Sequence, residues 1–398
     1  MKIDSDFLPA LASLHYICRH QHIPFVSYRL PGHSAITTII QYKSFPEKLS
    51  DINELNVAEG YVMAPFNTDV ANNAFLLKPD IEFKDDNVSA EIMAELSRSE
   101  LFHTTEADIE VSTTTKAEFE SNVNKAIETI KAGMLRKVVV SKTHVINLPD
   151  DFSASHFFQK LCATYPNAYI YFVQMPNVGC WMGATPEPLL TTENESMYTV
   201  SLAGTQPYTG LPLEQYSWQE KELDEQAIVT SFIGQTLIEN GIRDFYTSIP
   251  ESHRAGNLIH LKSGFEFRKD ALENNLSKLI TALHPTPSTG GLPKKAALDF
   301  ILNNEKHNRS YYTGFLGTLH PENGCQLYVN LRCMRLLGNK IVLYSGAGIT
   351  ASSDAAKEWI ETENKLETLK KHLTPTLSTS PQPSPKREGV SVDLSLLR

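Results

Sequence analysis

Between Thr113 and Leu135 the apolar residues Phe119, Val123, Ala126, Ile127 and Ile130 return every three or four positions, the period of one helix face. Thr113, Thr114 and Thr115 precede them and offer an N-cap hydroxyl. The pattern then changes. Val138, Val139 and Val140 follow one another, a β-branched run that reads as a buried strand over 137–141. Further strands are predicted over 168–174, 179–184 and 196–202. A long helix over 217–240 follows, with Gly241 as its C-cap. Residues 259–267 alternate like a strand, and 272–283 and 293–304 read as helices. The final strands are predicted over 312–319, 326–336 and 340–344, and the last helix over 354–372. Residues up to about Asp108 form an irregular leading region, with strand-like pieces at 61–65 and 73–77. No internal repeat is visible.

From Pro375 the chain reads PTLSTSPQPSPKREGVSVDLSLLR. Proline and serine at that density bury too little apolar surface to offset the cost of ordering. Residues 374–398 are therefore expected to be a disordered tail.

Composition narrows the class. The 398 residues are 41% apolar and 21% charged, an ordinary soluble balance. The five cysteines contain no CxxC pair and read as reduced thiols in a cytoplasmic protein. The net charge of −10 comes without a basic block, which argues against nucleic acid as a partner. The first residues, MKIDSDFLPALASLHY, are acidic where a secretory signal is basic. No run approaches 18 apolar residues, so no membrane span is expected.

Several residues carry chemistry. Lys137 enters the valine strand of RKVVVSK. Its ordinary reading is a strand-end lysine whose stem lies on apolar surface while the ammonium reaches water. In the last helix Glu358, Glu361 and Lys365 fall at i, i+3 and i+7 and share a face, which alone reads as a solvated charged face. The helix of QEKELDEQAIVTSFI repeats the spacing with Glu222 and Glu225. Two such acid pairs can converge on a hard cation, and Mg²⁺ prefers oxygen ligands. Two carboxylates would bind it directly and two through water. YSGAGITASSDAA sets Gly346 and Gly348 in an apparent strand-to-helix turn, whose N–H groups can cradle an anion. SLAGTQP puts Gly204 and Thr205 at a strand end. Glu187 of GATPEPLL is a candidate general acid, because desolvation raises a carboxyl pKa. Arg332 of LYVNLRCMRL lies in an apolar strand, and a buried guanidinium needs an anion.

These stretches together resemble the chorismate-utilising enzymes: isochorismate and salicylate synthases and the large subunits of anthranilate and aminodeoxychorismate synthases. The resemblance runs from about Thr114 to Leu373. It rests on eight ordered motifs: RKVVVSK, GATPEPLL, SLAGTQ, KELDEQAIV, LHPTPSTGGLP, RSYYTGFLG, LYVNLRCMR and YSGAGIT…KEWIETENK. It implies Lys137 as the base that activates water and Glu187 as the acid on the other side of the ring. It implies Glu225 and Glu361 as Mg²⁺ ligands, with Glu222 and Glu358 acting through water. Tyr312, Arg332 and the backbone at Gly346 and Gly348 would bind the pyruvyl carboxylate. Gly204 and Thr205 would line the pocket, and His284 and Lys365 would lie near the ring carboxylate and metal.

The same resemblance implies an α/β fold, more strictly α+β. It would be one large domain like anthranilate synthase component I, with two antiparallel-rich sheets packed together, helices outside and the active site in the cleft between the halves. Residues 1–110 would be its weakly matched N-terminal part and 111–373 its chorismate-binding region. Anthranilate synthases typically lack a lysine at the Lys137 position. Aminodeoxychorismate synthases carry a lysine where this chain has Ala203. The expected activity is therefore isochorismate synthase, with salicylate synthase or an ammonia-using subunit as alternatives. Chorismate is the expected small-molecule partner, and no obligatory glutamine amidotransferase is expected. The chain departs from the family pattern at Pro188, at Gln226 (often histidine) and at Lys142 (usually arginine).

Overall fold

The computed structural model describes residues 7–67, 74–99, 110–272 and 275–373. The tail predicted over 374–398 lies outside the described residues. Two large sheets dominate, and all their strand pairs are antiparallel. Among the described residues the first has nine strands, with Lys137–Asn147, Lys340–Ile349, Cys333–Leu337, Gly179–Thr185 and Tyr169–Met175 consecutive within it. The second runs through Leu258–Arg268, Ser196–Pro207, Pro188–Glu193, Gly324–Val329 and Phe315–His320.

The sheets face each other, and both faces of the central strands are buried. Along Tyr169–Met175, Tyr169, Tyr171 and Val173 point between the sheets, where they meet Tyr61, Leu316 and Tyr328 of the second sheet. Ile170 and Phe172 point outward, onto Leu11, Leu14, Phe157 and Leu161 of the helices Pro9–His20 and Ala154–Thr164. Leu366 and Leu369 of the last helix, Ala355–Lys370, join that outer layer. On the other side, Val229, Ile233 and Leu237 seat the helix Glu220–Glu239 on the second sheet. Cutting a ring such as Phe172 to alanine would cost about 3–5 kcal/mol. The predicted arrangement of two packed sheets with helices outside is what the chain adopts.

Local expectations fared unevenly. The first predicted helix spans Lys116–Lys131, and Thr115 caps it in a reciprocal box with Glu118. The leading region is not irregular: Phe25–Arg29 and Thr37–Ile40 extend the first sheet, while Gly60–Ala64 and Phe75–Leu77 extend the second. Gly60–Ala64 and Phe75–Leu77 are the strand-like pieces predicted at 61–65 and 73–77, whereas Phe25–Arg29 escaped notice because it is buried on both faces and shows no alternation. Three corrections concern the candidate residues. The strand Ser196–Pro207 continues through Gly204 and Thr205, which are not at its end. The strand Lys340–Ile349 likewise runs through Gly346 and Gly348, opposite Ser141 and Val139, so these glycines form no turn. The predicted strand over 326–336 is two strands, and Arg332 sits in the break between them at φ +47°.

Candidate active site

At two neighbouring points the chain passes from one sheet to the other. Gly179–Thr185 of the first sheet leads to Pro188–Glu193 of the second, and Gly324–Val329 of the second leads to Cys333–Leu337 of the first. The crossings run side by side: the Val329 N–H donates to the Glu187 carbonyl at 2.9 Å, and the Ala184 N–H to the Arg332 carbonyl at 3.1 Å. One crossing carries Glu187 and the other Arg332. Both side chains line a cavity at this seam, with Gly204, Thr205, Glu225, Tyr312, Gly346, Gly348 and Lys365.

Glu225 and Lys365 line this cavity, and each is paired with a group behind the wall, Lys137 and Glu361. The Lys137 side chain is fully buried, with Nζ 2.8 Å from Glu225 Oε1, an ion pair without hydrogen-bond alignment. Burial works to raise the Glu225 pKa, but Lys137, then Lys365 and Lys221, outweigh it and hold the carboxyl below its ordinary value. Lys365 Nζ donates to Glu361 Oε1 at 2.6 Å and to the Gly346 carbonyl at 3.0 Å. Lys221 Nζ donates to Glu358 Oε1 at 2.5 Å. Burial and the neighbouring Glu361 charge push Glu358 up to about 7. Glu187 is 3% exposed, and burial pushes its pKa up to about 8 against the pull of Lys137, Lys365 and Arg332. At neutral pH its carboxyl is mainly protonated.

Arg332 is 8% exposed; it donates to Thr368 Oγ1 at 3.0 Å and meets His260 Nε2 at 3.2 Å. Burial lowers its pKa to about 10. Among the described residues no carboxylate forms an ion pair with it, so a buried guanidinium faces the cavity without an anion. Tyr312 stacks on Tyr344 at 5.3 Å, and burial pushes its hydroxyl pKa up.

The glycines answer to close approach. A Cβ on Gly348 would stand 2.2 Å from Glu225 Oε1 and 2.9 Å from Lys137 Cε. One on Gly346 would stand 3.0 Å from Tyr312 Oη. Gly204 adopts φ +67°, and its N–H donates to Glu225 Oε2 at 3.3 Å.

Two residues singled out in the sequence stand apart. His284 does not line the cavity; its Nε2 faces the Phe66 carbonyl at 3.2 Å, its ring meets Phe315 edge-on, and burial lowers its pKa to about 4. Gln226 turns to the sheet, where Nε2 donates to Ser201 Oγ at 2.8 Å. Two others went unnoticed. His260 bridges the Gly204 carbonyl and Arg332. Its signal was a histidine in the even register of an alternating strand. Lys221 gave no signal beyond a basic residue beside two acids.

The acids fit a hard divalent cation in kind, since Glu225, Glu361, Glu222 and Glu358 offer only oxygen. Glu358 Oε2 is buried without a hydrogen-bond partner. Glu222, Glu358 and Glu361 line a second opening beside Thr205, which also lines the first cavity. As arranged, however, Glu225, Glu358 and Glu361 each turn to a lysine. Among the described residues no three acidic, histidine or cysteine side chains already form a metal-holding group.

Fold and cavity thus define an α/β protein of two packed sheets with a charged cleft at their seam. The chain belongs to the chorismate binding enzyme family, which it matches over residues 65–374. It is 31% identical over 257 residues to isochorismate synthase EntC of Escherichia coli, an alignment covering 63% of this chain and 66% of that protein. The aligned part is thus just under two thirds of that relative's length. The solved DhbC isochorismate synthase of Bacillus anthracis superposes with a TM-score of 0.73 at 21% identity, over 91% of this chain and 99% of that one. Anthranilate synthase component I of Streptococcus pneumoniae superposes at 0.62 with 16% identity, over 87% of this chain and 92% of that one. Among the described residues no helix is long and apolar enough to cross a membrane.

Proposed function

We propose that the protein is an isochorismate synthase, an isomerase that converts chorismate to isochorismate with Mg²⁺. The observation that carries this reading is a buried, mainly protonated carboxyl, Glu187, in the wall of a cavity whose Arg332 lacks a carboxylate partner, with the buried Lys137 held behind that wall by Glu225, which lines it. The reaction needs both proton carriers. Water adds at C2 of the ring, and the C4 hydroxyl departs. Lys137, which must enter this step as the neutral amine, takes a proton from the attacking water at Nζ. Glu187 gives its proton to the leaving hydroxyl, which leaves as water. One water enters and one leaves, so product and substrate are isomers. The Glu225 carboxylate, 2.8 Å from Nζ, balances the charge that Lys137 gains. Each transfer is worth on the order of 10²–10⁴ in rate.

Arg332, with Tyr312 beside it, would bind the pyruvyl carboxylate. Glu225 and Glu361 would hold Mg²⁺, with Glu222 and Glu358 acting through water. Bound there, the ion would neutralise the ring carboxylate and spread the charge of the transition state. Ala203, at the cavity wall, leaves no amine for a covalent adduct, which favours water as the nucleophile.

The test is to incubate the purified protein with chorismate and Mg²⁺ and separate the products by chromatography. Isochorismate is the expected product. Salicylate with pyruvate would replace this reading with salicylate synthase. An aminated product in ammonium buffer would replace it with an ammonia-using enzyme, and unchanged chorismate would overturn it.

A further inference from the structure

A second cavity, of about 480 Å³, lies beside the catalytic one and shares Pro186 and Arg332 with it. Its lining is unusual for a chain of net charge −10. Arg254, Lys371, His253 and Arg332 line it, and no acidic side chain does. Two of these cations are presented on aromatic faces: the Arg254 guanidinium lies 3.8 Å from the Tyr208 ring centroid, and Lys371 Nζ 5.5 Å from that of Tyr165. Arg254 also donates to the Gly256 carbonyl at 3.0 Å. Among the described residues neither has a carboxylate within ion-pair distance, whereas Lys137, Lys221 and Lys365 inside are all paired. The opening on the other flank carries four acids, Glu222, Glu358, Glu361 and Asp354, against two lysines, Lys221 and Lys357, and so favours anions less.

We propose that the basic cavity is the capture site and entrance for the dianionic substrate. Arg254 and Lys371 draw the dicarboxylate in, and Arg332, the wall common to both cavities, takes its carboxylate on the way to the seam. Clefts lined by one sign of charge raise association rates about 10–10³-fold, and salt screens the gain. The acidic opening is left to the cation. This inference rests on the chorismate reading above.

The experiment measures the association rate constant of chorismate by stopped-flow protein fluorescence, before the first turnover, from low to high salt. Wild type is compared with Arg254→Glu, Lys371→Glu and their combination. Lys131→Glu, on the helix Lys116–Lys131, makes the same change of net charge as either single reversal. The double reversal should slow association about tenfold or more at low salt and flatten its salt dependence. Turnover at saturating chorismate should stay within about twofold, and Lys131→Glu should associate like wild type. Equal rates and salt slopes for wild type and the double variant would overturn the entrance while leaving the proposed activity intact. A slowing by Lys131→Glu equal to that of the single reversals would also overturn it, since net charge alone would then act. A wild-type protein that neither binds nor converts chorismate would overturn both readings together.

Discussion

Lys137 and Glu225 meet 2.8 Å apart because Gly348 has no side chain. The lysine comes from the first residue of its strand and the glutamate from the helix Glu220–Glu239, and the strand bearing Gly348 passes against both. A methyl group on Gly348 would overlap Glu225 Oε1, the mobile end of a flexible side chain. The fold can therefore accept Gly348→Ala by moving the carboxylate, but the ion pair cannot survive it. The variant should fold, with circular dichroism and melting temperature close to wild type. Turnover should fall by about 10²-fold, the cost of a misplaced group in an active site. Normal turnover would show that the Lys137–Glu225 contact is dispensable.

Glu187 gives a pH test with a defined sign. Burial raises its pKa from the ordinary 4.5 to about 8. Between those values the folded protein keeps a proton that the unfolded chain has lost. Stability therefore falls as pH rises through this window, by about 1.4 kcal/mol per pH unit from this group. Glu187→Gln removes the term. The melting temperature of the variant relative to wild type should rise steadily from pH 5 to pH 8. A flat difference would mean that Glu187 is ionised in the folded state. Wild-type turnover should also decline above about pH 8, where the proton donor is lost.

How much of this was legible in the sequence depends on what each residue answers to. Lys137, Glu187 and the acid pairs were readable because their chemistry lies in residue type and spacing. The strand extension to Ile349 was not, because Ser345, Gly346, Ala347 and Gly348 lack β-branched side chains. Their strand is imposed by pairing with Lys137–Asn147, and their small size by Glu225, Lys137 and Tyr312. The break at Arg332 was hidden in a run that is apolar on both sides of it. His260 matters only through Gly204 and Arg332, partners 56 and 72 residues away. Such contacts are set by topology, and periodicity carries no trace of them.

Metal removal tests the acid pairs. Protein dialysed against EDTA should not convert chorismate, and Mg²⁺ should restore it. Ca²⁺ should substitute poorly, since it prefers longer bonds and more ligands. Glu361→Gln should weaken Mg²⁺ binding, read by calorimetry on the unreacted protein. Full turnover in excess chelator would remove Mg²⁺ from the mechanism and leave the acids as lysine partners.

The ordinary reading of Lys137 was a strand-end lysine whose ammonium reaches water. Its side chain is 0% exposed, so that reading fails on geometry. What remains is a choice between a purely structural ion pair and a base. Lys137→Gln keeps a polar side chain one bond shorter but removes the proton acceptor. If Lys137 is the base, turnover should fall by about 10² or more while chorismate affinity, measured by calorimetry, changes much less. Glu187→Gln should act likewise, and the double variant should be little worse than either, because the two proton transfers serve one displacement. A structural lysine predicts a different outcome. Losing it would strand Glu225 without its partner and lower the melting temperature, with turnover falling only as folded protein is lost. High ammonium at raised pH separates the two further. Ammonia attacks without a base, so Lys137→Gln should then form traces of an aminated product. Wild-type turnover of water by Lys137→Gln would remove the main residue-level support for the isochorismate synthase reading.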